Sequence, residues 1–477
     1  ASAVAGVEDL IAVRYDISPG SLYSRLISDG PRVPVKVWLL NEDGTSIFKT
    51  SCTGTAKTNA YRWFIENYMS KGRCNTAYGA YYIDQEWMKN PTTWSAPVNN
   101  HSLTNHDFFV GKKAFFFDLS PWADEPATDD PEQAAGADLA ILKEMLLLAY
   151  RQNNDGKTFT YIGGFPPWAF KYTDAVQGSH GAVNTEWEYA RIISAYNAFK
   201  DADANPGIGA LANASFWQHY PLKDEYPQKW VTQDELKAKG YLDANGKLSL
   251  GNKKLLIFYV GDYDASSWLS QSTPTIWDDP NRGKVPMMWA ISPILAERVP
   301  MAWEYRVETA TGNDYFVAAD NGAGYLNPGM LQAPRPVSGL PDATQDWANH
   351  CLPHYQKWGL TVSGFVIDGY GPELHRDGLE TYASFSPNGM VRQYIQSYTS
   401  FFPDHVKPHA VPLTQLYDDM PILRAGGYVN EEAVTDAATV VQMANEYPMP
   451  FSWVRSFLKS PPWSDEIVEE VKRLAPD

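Results

Sequence analysis

From residue 113 onward, short apolar runs alternate with longer stretches in which apolar residues recur every three or four positions. Bulky runs bounded by Gly, Pro or Asp fit buried strands, and recurrence at helical spacing fits helices packed on one face. The strands so predicted cover 114–119, 159–162, 208–212, 255–260, 287–291, 315–319, 362–367 and 406–411, with further strand character near Leu423 and Phe451. A helix is predicted over 137–151, where Ile141, Leu142, Met145, Leu146 and Ala149 share a face, and another over 186–199. Asp342 and Gln345 have the spacing of a capping box, with Gly359 as the stop of the helix between them. A last helix starts at Ser464, where Asp465 and Glu466 complement its N-terminal dipole.

Eight strands, most followed by a helix, match a (β/α)8 TIM-like barrel, which we assign to residues 111–477. Residues 1–110 read as a small α+β accessory module: strands over 33–40, 45–52 and 80–84, a turn at Asp43-Gly44 and a helix over 60–69. The rival architecture is an open doubly wound sheet. Against it, the first barrel strand runs into DLSPWADEP, acidic where a bound phosphate needs glycines and a helix start.

The length of 477 residues fits two domains. A net charge of -17 opposes binding to nucleic acid or to anionic membrane surfaces. No apolar run approaches the roughly 20 residues that span a bilayer, so membrane insertion is not expected. Cys52, Cys74 and Cys351 lack metal-ligand spacing; the first two are either a bridge or free buried thiols. The start ASAVAG is what cleavage after small residues leaves, and sequons stand at Asn100 and Asn213, which together lean toward a secreted or periplasmic protein.

In a barrel the reacting groups stand where strands end. That rule selects Asp118, the pair Asp262 and Asp264, Asp320 and Asp368, all acids. Converging carboxylates are what glycosidic hydrolysis uses: one protonates the leaving oxygen, another attacks or activates water. The Asp262-x-Asp264 pair also suits a divalent metal or plain loop capping. No metal or other cofactor is expected, although the acidic loops leave calcium open. The 17 Trp and 28 Tyr offer flat faces to sugar rings, with core packing as the ordinary use of most of them. No P-loop, G-x-S-x-G elbow or H-E-x-x-H helix is present.

The loop after the strand over 315–319 reads ADNGAGYLNPG, in which the glycines permit backbone angles closed to other residues. It resembles the signature of the GxGYxYP family of putative glycoside hydrolases, matched by Gly322, Gly324, Tyr325 and Pro328. Asn327 stands where the signature has its second tyrosine, so that residue's role does not carry over. Other segments between Asn105 and Met330 are similar to the family's. They contain Trp122, Trp168, Lys171, Tyr172, His180, Glu186, Trp268, Trp277 and Arg282. The resemblance implies a glycoside hydrolase, with Asp262, Asp264 and Asp320 as the catalytic set and Asp368 and Glu186 in reserve. Asp118, Trp122, Trp168, Lys171, Tyr172, His180, Trp268, Trp277, Arg282 and Tyr325 are then candidates to bind a carbohydrate substrate. Each also has a structural reading: turn formation, helix-end charge, or neutralisation of a neighbouring Asp. Two other functions stay open: a carbohydrate-binding protein without a working acid pair, and a metal-dependent glycosyltransferase.

Overall fold

Runs such as MMWAI and DYFVA have no polar face to turn to solvent, and they form parallel strands covered on both sides. The computed structural model describes residues 1–28, 33–41, 43, 45–48, 54–81, 105–164, 171–201, 213–395, 414–417, 420–424, 428–429, 433–446, 451–457 and 461–475. Four short strands, β1 (Tyr78–Tyr81), β2 (Phe115–Phe117), β3 (Thr160–Gly163) and β4 (Ala198–Lys200), make a parallel sheet in the order β2-β1-β3-β4. The second sheet takes β5 (Leu255–Tyr263), β6 (Met287–Ile291), β7 (Asp314–Ala318), β8 (Val362–Gly369), β9 (Gly389–Ile395), β10 (Thr414–Tyr417), β11 (Met420–Arg424), β12 (Tyr428–Val429) and β13 (Phe451–Phe457). Its order is β10-β11-β9-β8-β7-β6-β5-β13-β12, parallel except at the β10/β11 pair. The helices Pro300–Glu308 and Thr344–Trp358 return the chain between β6, β7 and β8, so these strands all end at one edge.

The fold is thus mixed α/β with parallel sheets, as the sequence indicates, but these strands do not trace the closed eight-stranded barrel. To continue an in-order barrel, β5 would need β4 at its side. That side is taken by β13, which runs in register from Phe451 opposite Leu255 to Phe457 opposite Gly261. The smaller sheet reverses direction at β1, the feature of the rival doubly wound architecture. β1 comes from the segment read as a separate N-terminal module, yet it pairs with β2 and β3 from beyond residue 110. Between the two sheets runs an antiparallel bridge of Lys200 with Tyr325.

Local expectations divide in the same way. The helix predicted over 186–199 starts at Ala182 and ends at Ser194, which frees 198–200 to become β4. The strand predicted over 255–260 runs on to Tyr263 and so contains Asp262. Among the described residues, the strands expected over 33–40 and 45–52 make only the bridge Leu40 to Ser46. The capping box at Asp342 does not form: Asp342 accepts from the Thr344 amide at 2.9 Å, but Gln345 turns to Asn349. Gly359 does stop that helix, in the left-handed region at φ 60. The segments 208–212 and 406–411, Cys52 and the Asn100 sequon lie outside the described residues. Cys74 and Cys351 are buried free thiols. No helix among the described residues is long and apolar enough to cross a membrane.

Candidate functional site

The signature loop is built to turn hard. Asp320 and Asn321, two and three residues beyond the end of β7, both take left-handed backbone angles (φ 56 and 71). Asx residues tolerate that region better than most. Asn321 is fully buried and anchored three ways: its Oδ1 accepts from the Ile367 amide at 2.5 Å, and its carbonyl accepts from Trp347 Nε1 at 3.2 Å and from the Tyr382 hydroxyl at 2.6 Å. His350 bonds the Ala323 carbonyl at 2.9 Å. Burial drives the His350 imidazole down to about 4, so it is neutral at ordinary pH and its Nε2–H donates.

The two glycines make room for neighbours. With φ of 132 and 135, both occupy angles closed to other residues. A Cβ on Gly322 would stand 2.7 Å from Cys351 Sγ, and one on Gly324 would stand 2.2 Å from the Phe199 ring. Phe199 precedes Lys200 on β4, so the second glycine lets the loop close over that strand. Tyr325 and Lys200 then exchange backbone hydrogen bonds of 2.9 and 2.8 Å.

Around this bridge the acids gather. The Lys200 amine lies 4.0 Å from the centre of the Tyr325 ring. The Tyr325 hydroxyl donates to Glu186 Oε1 at 2.7 Å. Burial pushes the Lys200 amine down to about 8, while Glu186, Asp264, Asp320 and Asp201 pull it back up. Burial also drives the Tyr325 phenol well above its ordinary range, with Glu186, Asp320 and Asp264 adding to the rise. Glu186, Asp264 and Asp320 therefore share one neighbourhood. Asp320 and Asp264 are buried, and Glu186 is half-buried in the second turn of its helix rather than in the first. Asp262 near the end of β5 and Asp368 near the end of β8 lie at the same sheet edge by backbone position, and their side chains fall outside the described set. Asp201 also bonds Arg298 Nη2 and the Tyr161 hydroxyl, an ion pair that fixes the end of β4.

Lys200 carried no signal in the sequence because it ends a three-residue strand in a stretch that reads as the tail of a helix. A lysine between Phe199 and Asp201 is the only trace it leaves.

Several other candidates fall elsewhere. Asp118, Lys171 and Tyr172 belong to a buried network in which Lys171 contacts Asp118 and, at 3.0 Å, Asp129. Tyr172 donates to Asp118 Oδ1 at 2.9 Å, and Lys57 bridges Asp129 and Asp138 at 2.8 and 2.6 Å. Trp122 is buried with its ring stacked 3.4 Å from that of His180, which in turn meets Asp124 at 3.0 Å. Trp268 is half-buried in the turn Trp268–Ser272 just after Asp264. Trp277 and Arg282 do not join the rim: Arg282 stacks 4.0 Å from the Trp277 ring and binds Asp314, the first residue of β7. At about 3.3 Å per residue, that is the opposite end of the strand from Asp320. Trp168 lies outside the described residues. Among the described residues, no three His, Cys, Asp or Glu side chains come together as a metal-ligand set.

Residues 252–451 match the GxGYxYP putative glycoside hydrolase C-terminal domain. The match covers the signature together with Asp262, Asp264, Asp320 and Asp368, and it runs past Met330, where the sequence resemblance was clearest. Glu186 and Lys200 lie before it. A crystal structure of a putative hydrolase from Bacteroides thetaiotaomicron is similar over 86% of this chain and 65% of its own, with a TM-score of 0.57 and 15% identity. At that identity the likeness shows the fold alone, and this chain spans less than two thirds of that protein's length. No curated protein matches the chain.

Proposed function

We propose that the protein is a glycoside hydrolase acting outside the cytoplasm on a neutral or weakly charged glycan, with Glu186, Asp264 and Asp320 as its reacting carboxylates. One observation carries this reading: a single buried amine, that of Lys200, feels acids from three distant parts of the chain. Glycosidic hydrolysis uses two carboxyl groups in unequal protonation states, and the acids that surround this amine are the candidates for them. One of them protonates the leaving oxygen while another, ionised, attacks the anomeric carbon or takes a proton from water. The GxGYxYP match and the hydrolase neighbour support the same class. Asp262 and Asp368 sit at the right strand ends to bind or assist. By backbone position these two acids share the sheet edge at which β5 to β8 end, the edge that also carries Asp264 and the Asp320 loop.

The test is a panel of aryl glycosides and neutral polysaccharides, assayed with the wild type and with Glu186→Gln and Asp320→Asn. Hydrolysis by the wild type that both variants lose is the expected result. Full activity in both variants would remove these carboxylates from the mechanism.

A further inference from the structure

The face of Tyr325 is not offered to a ligand. The residue is 2% exposed, its ring is covered by the Lys200 amine, and its backbone is tied to that of Lys200 on both sides. Its hydroxyl points to one partner, Glu186. The sequence candidate for sugar stacking is therefore walled in, and its position is set by Gly324, which admits the Phe199 ring beneath the loop.

We propose that Tyr325 is a positioning residue: with Lys200 behind its ring, it holds Glu186 in one rotamer and in its ionised form. This rests on the hydrolase reading of the site and assigns Glu186 the ionised role within it, which leaves Asp264 or Asp320 to protonate the leaving oxygen. A hydrogen bond donated to a carboxylate favours its charged form. The phenol remains a donor throughout the range in which carboxyl groups titrate, because burial and the surrounding acids raise it. A cation against the ring face makes the phenol a better donor, since it draws electron density away from the oxygen. The titratable groups around the pair are Lys200 and Asp201 at the end of β4, Asp264 after β5, and Asp320 on the loop that carries Tyr325. Lys200 is the cation among them, so its removal and the removal of the phenol act in the same direction.

The experiment needs no substrate. With glutamate side chains labelled with carbon-13, the Glu186 carboxyl signal is assigned by its loss in Glu186→Gln and titrated by NMR in the wild type, Tyr325→Phe and Lys200→Met. The expected result is a midpoint raised by about one pH unit in Tyr325→Phe, and raised also in Lys200→Met. A midpoint unmoved in folded Tyr325→Phe overturns the proposal. Should that variant not fold, an unmoved midpoint in Lys200→Met, which keeps the phenol, overturns it equally. On any glycoside the wild type cleaves, the acidic limb of kcat/KM shifts up in Tyr325→Phe while KM stays within about threefold. Full hydrolysis by Glu186→Gln defeats the reading under Proposed function, whereas the titration decides the role of Tyr325 on its own.

Discussion

Two lysines, each buried among aspartates, lead opposite lives in this molecule. Burial would lower Lys171, but Asp118 and Asp129 at contact distance lift its amine above the ordinary lysine range. Lys200 has more carboxylates in reach and is nevertheless pushed down to about 8 by burial. At Lys171 the pull of Asp118 and Asp129 outweighs desolvation; at Lys200 desolvation outweighs the pull of the acids. The surroundings differ accordingly. Asp129 and Asp138 are tied by lysines at 2.6 to 3.0 Å, and Asp118 is tied by Lys171, the mark of a cluster that holds elements together. Asp320 is presented by a left-handed turn beside two crowded glycines, Glu186 by a helix and Asp264 by the end of β5. Backbone strain of that kind gathers where a protein needs a group in an unusual place.

This contrast can be broken or sharpened by measurement. The largest effect is expected in the Lys200 cluster, on function: Glu186→Gln or Asp320→Asn should lower kcat about 10²- to 10⁴-fold, with unfolding free energy within about 1 kcal/mol of wild type. Lys171→Met should do the reverse. It leaves Asp118 buried beside Asp129 without its amine and should cost about 3–5 kcal/mol in denaturant unfolding. A third effect follows from pH. Lys200 takes up its proton near 8 in the folded chain and near 10.5 when exposed. Between those values the unfolded chain binds more protons, so stability rises with pH. Below 8 both states are protonated, and the burial of charge weighs in full. From pH 8 to 10 the share due to Lys200, read as the difference between the wild type and Lys200→Met, should approach about 2 kcal/mol; the buried phenols act with the opposite sign in both proteins and drop out of that difference. Gly324→Ala, driven into the Phe199 ring at a positive φ, should cost about 1–3 kcal/mol and reduce activity with it. The smallest effect is expected at Arg282→Lys. It loses the stack on Trp277 and a bond to the Thr309 carbonyl, costs about 1 kcal/mol, and leaves kcat within about twofold.

Much of this was legible in the residues themselves. The apolar runs at Met287 and Asp314 could only be buried strands, and a carboxylate followed by glycines at the end of one of them marked the loop that carries Asp320. What sequence hides is which distant segment closes against which. β13 reads as one more strand, yet it takes the place beside β5 that an in-order barrel reserves for β4, because pairing order depends on packing that no local pattern records. Arg282 and Trp277 looked like rim residues because their loop is rich in Asp and Pro; the Asp314 partner places them at the far end of β7. Lys200 went unseen because three strand residues leave too short a period to read. Asp118 was found at the right kind of strand end, but its partner Lys171, and the Lys57 that binds the neighbouring Asp129 and Asp138, arrive from segments whose proximity only the fold creates.

The Lys200–Tyr325 bridge has a consequence for how any activity comes into being. On the proposed assignment, neither the stretch that carries Glu186 and Lys200 nor the stretch that carries Asp264, Asp320 and Tyr325 holds all the reacting groups. Catalysis would switch on only once both halves have docked. Turnover would then report the completion of long-range assembly, and a polypeptide severed between the halves would regain it only by reassociation.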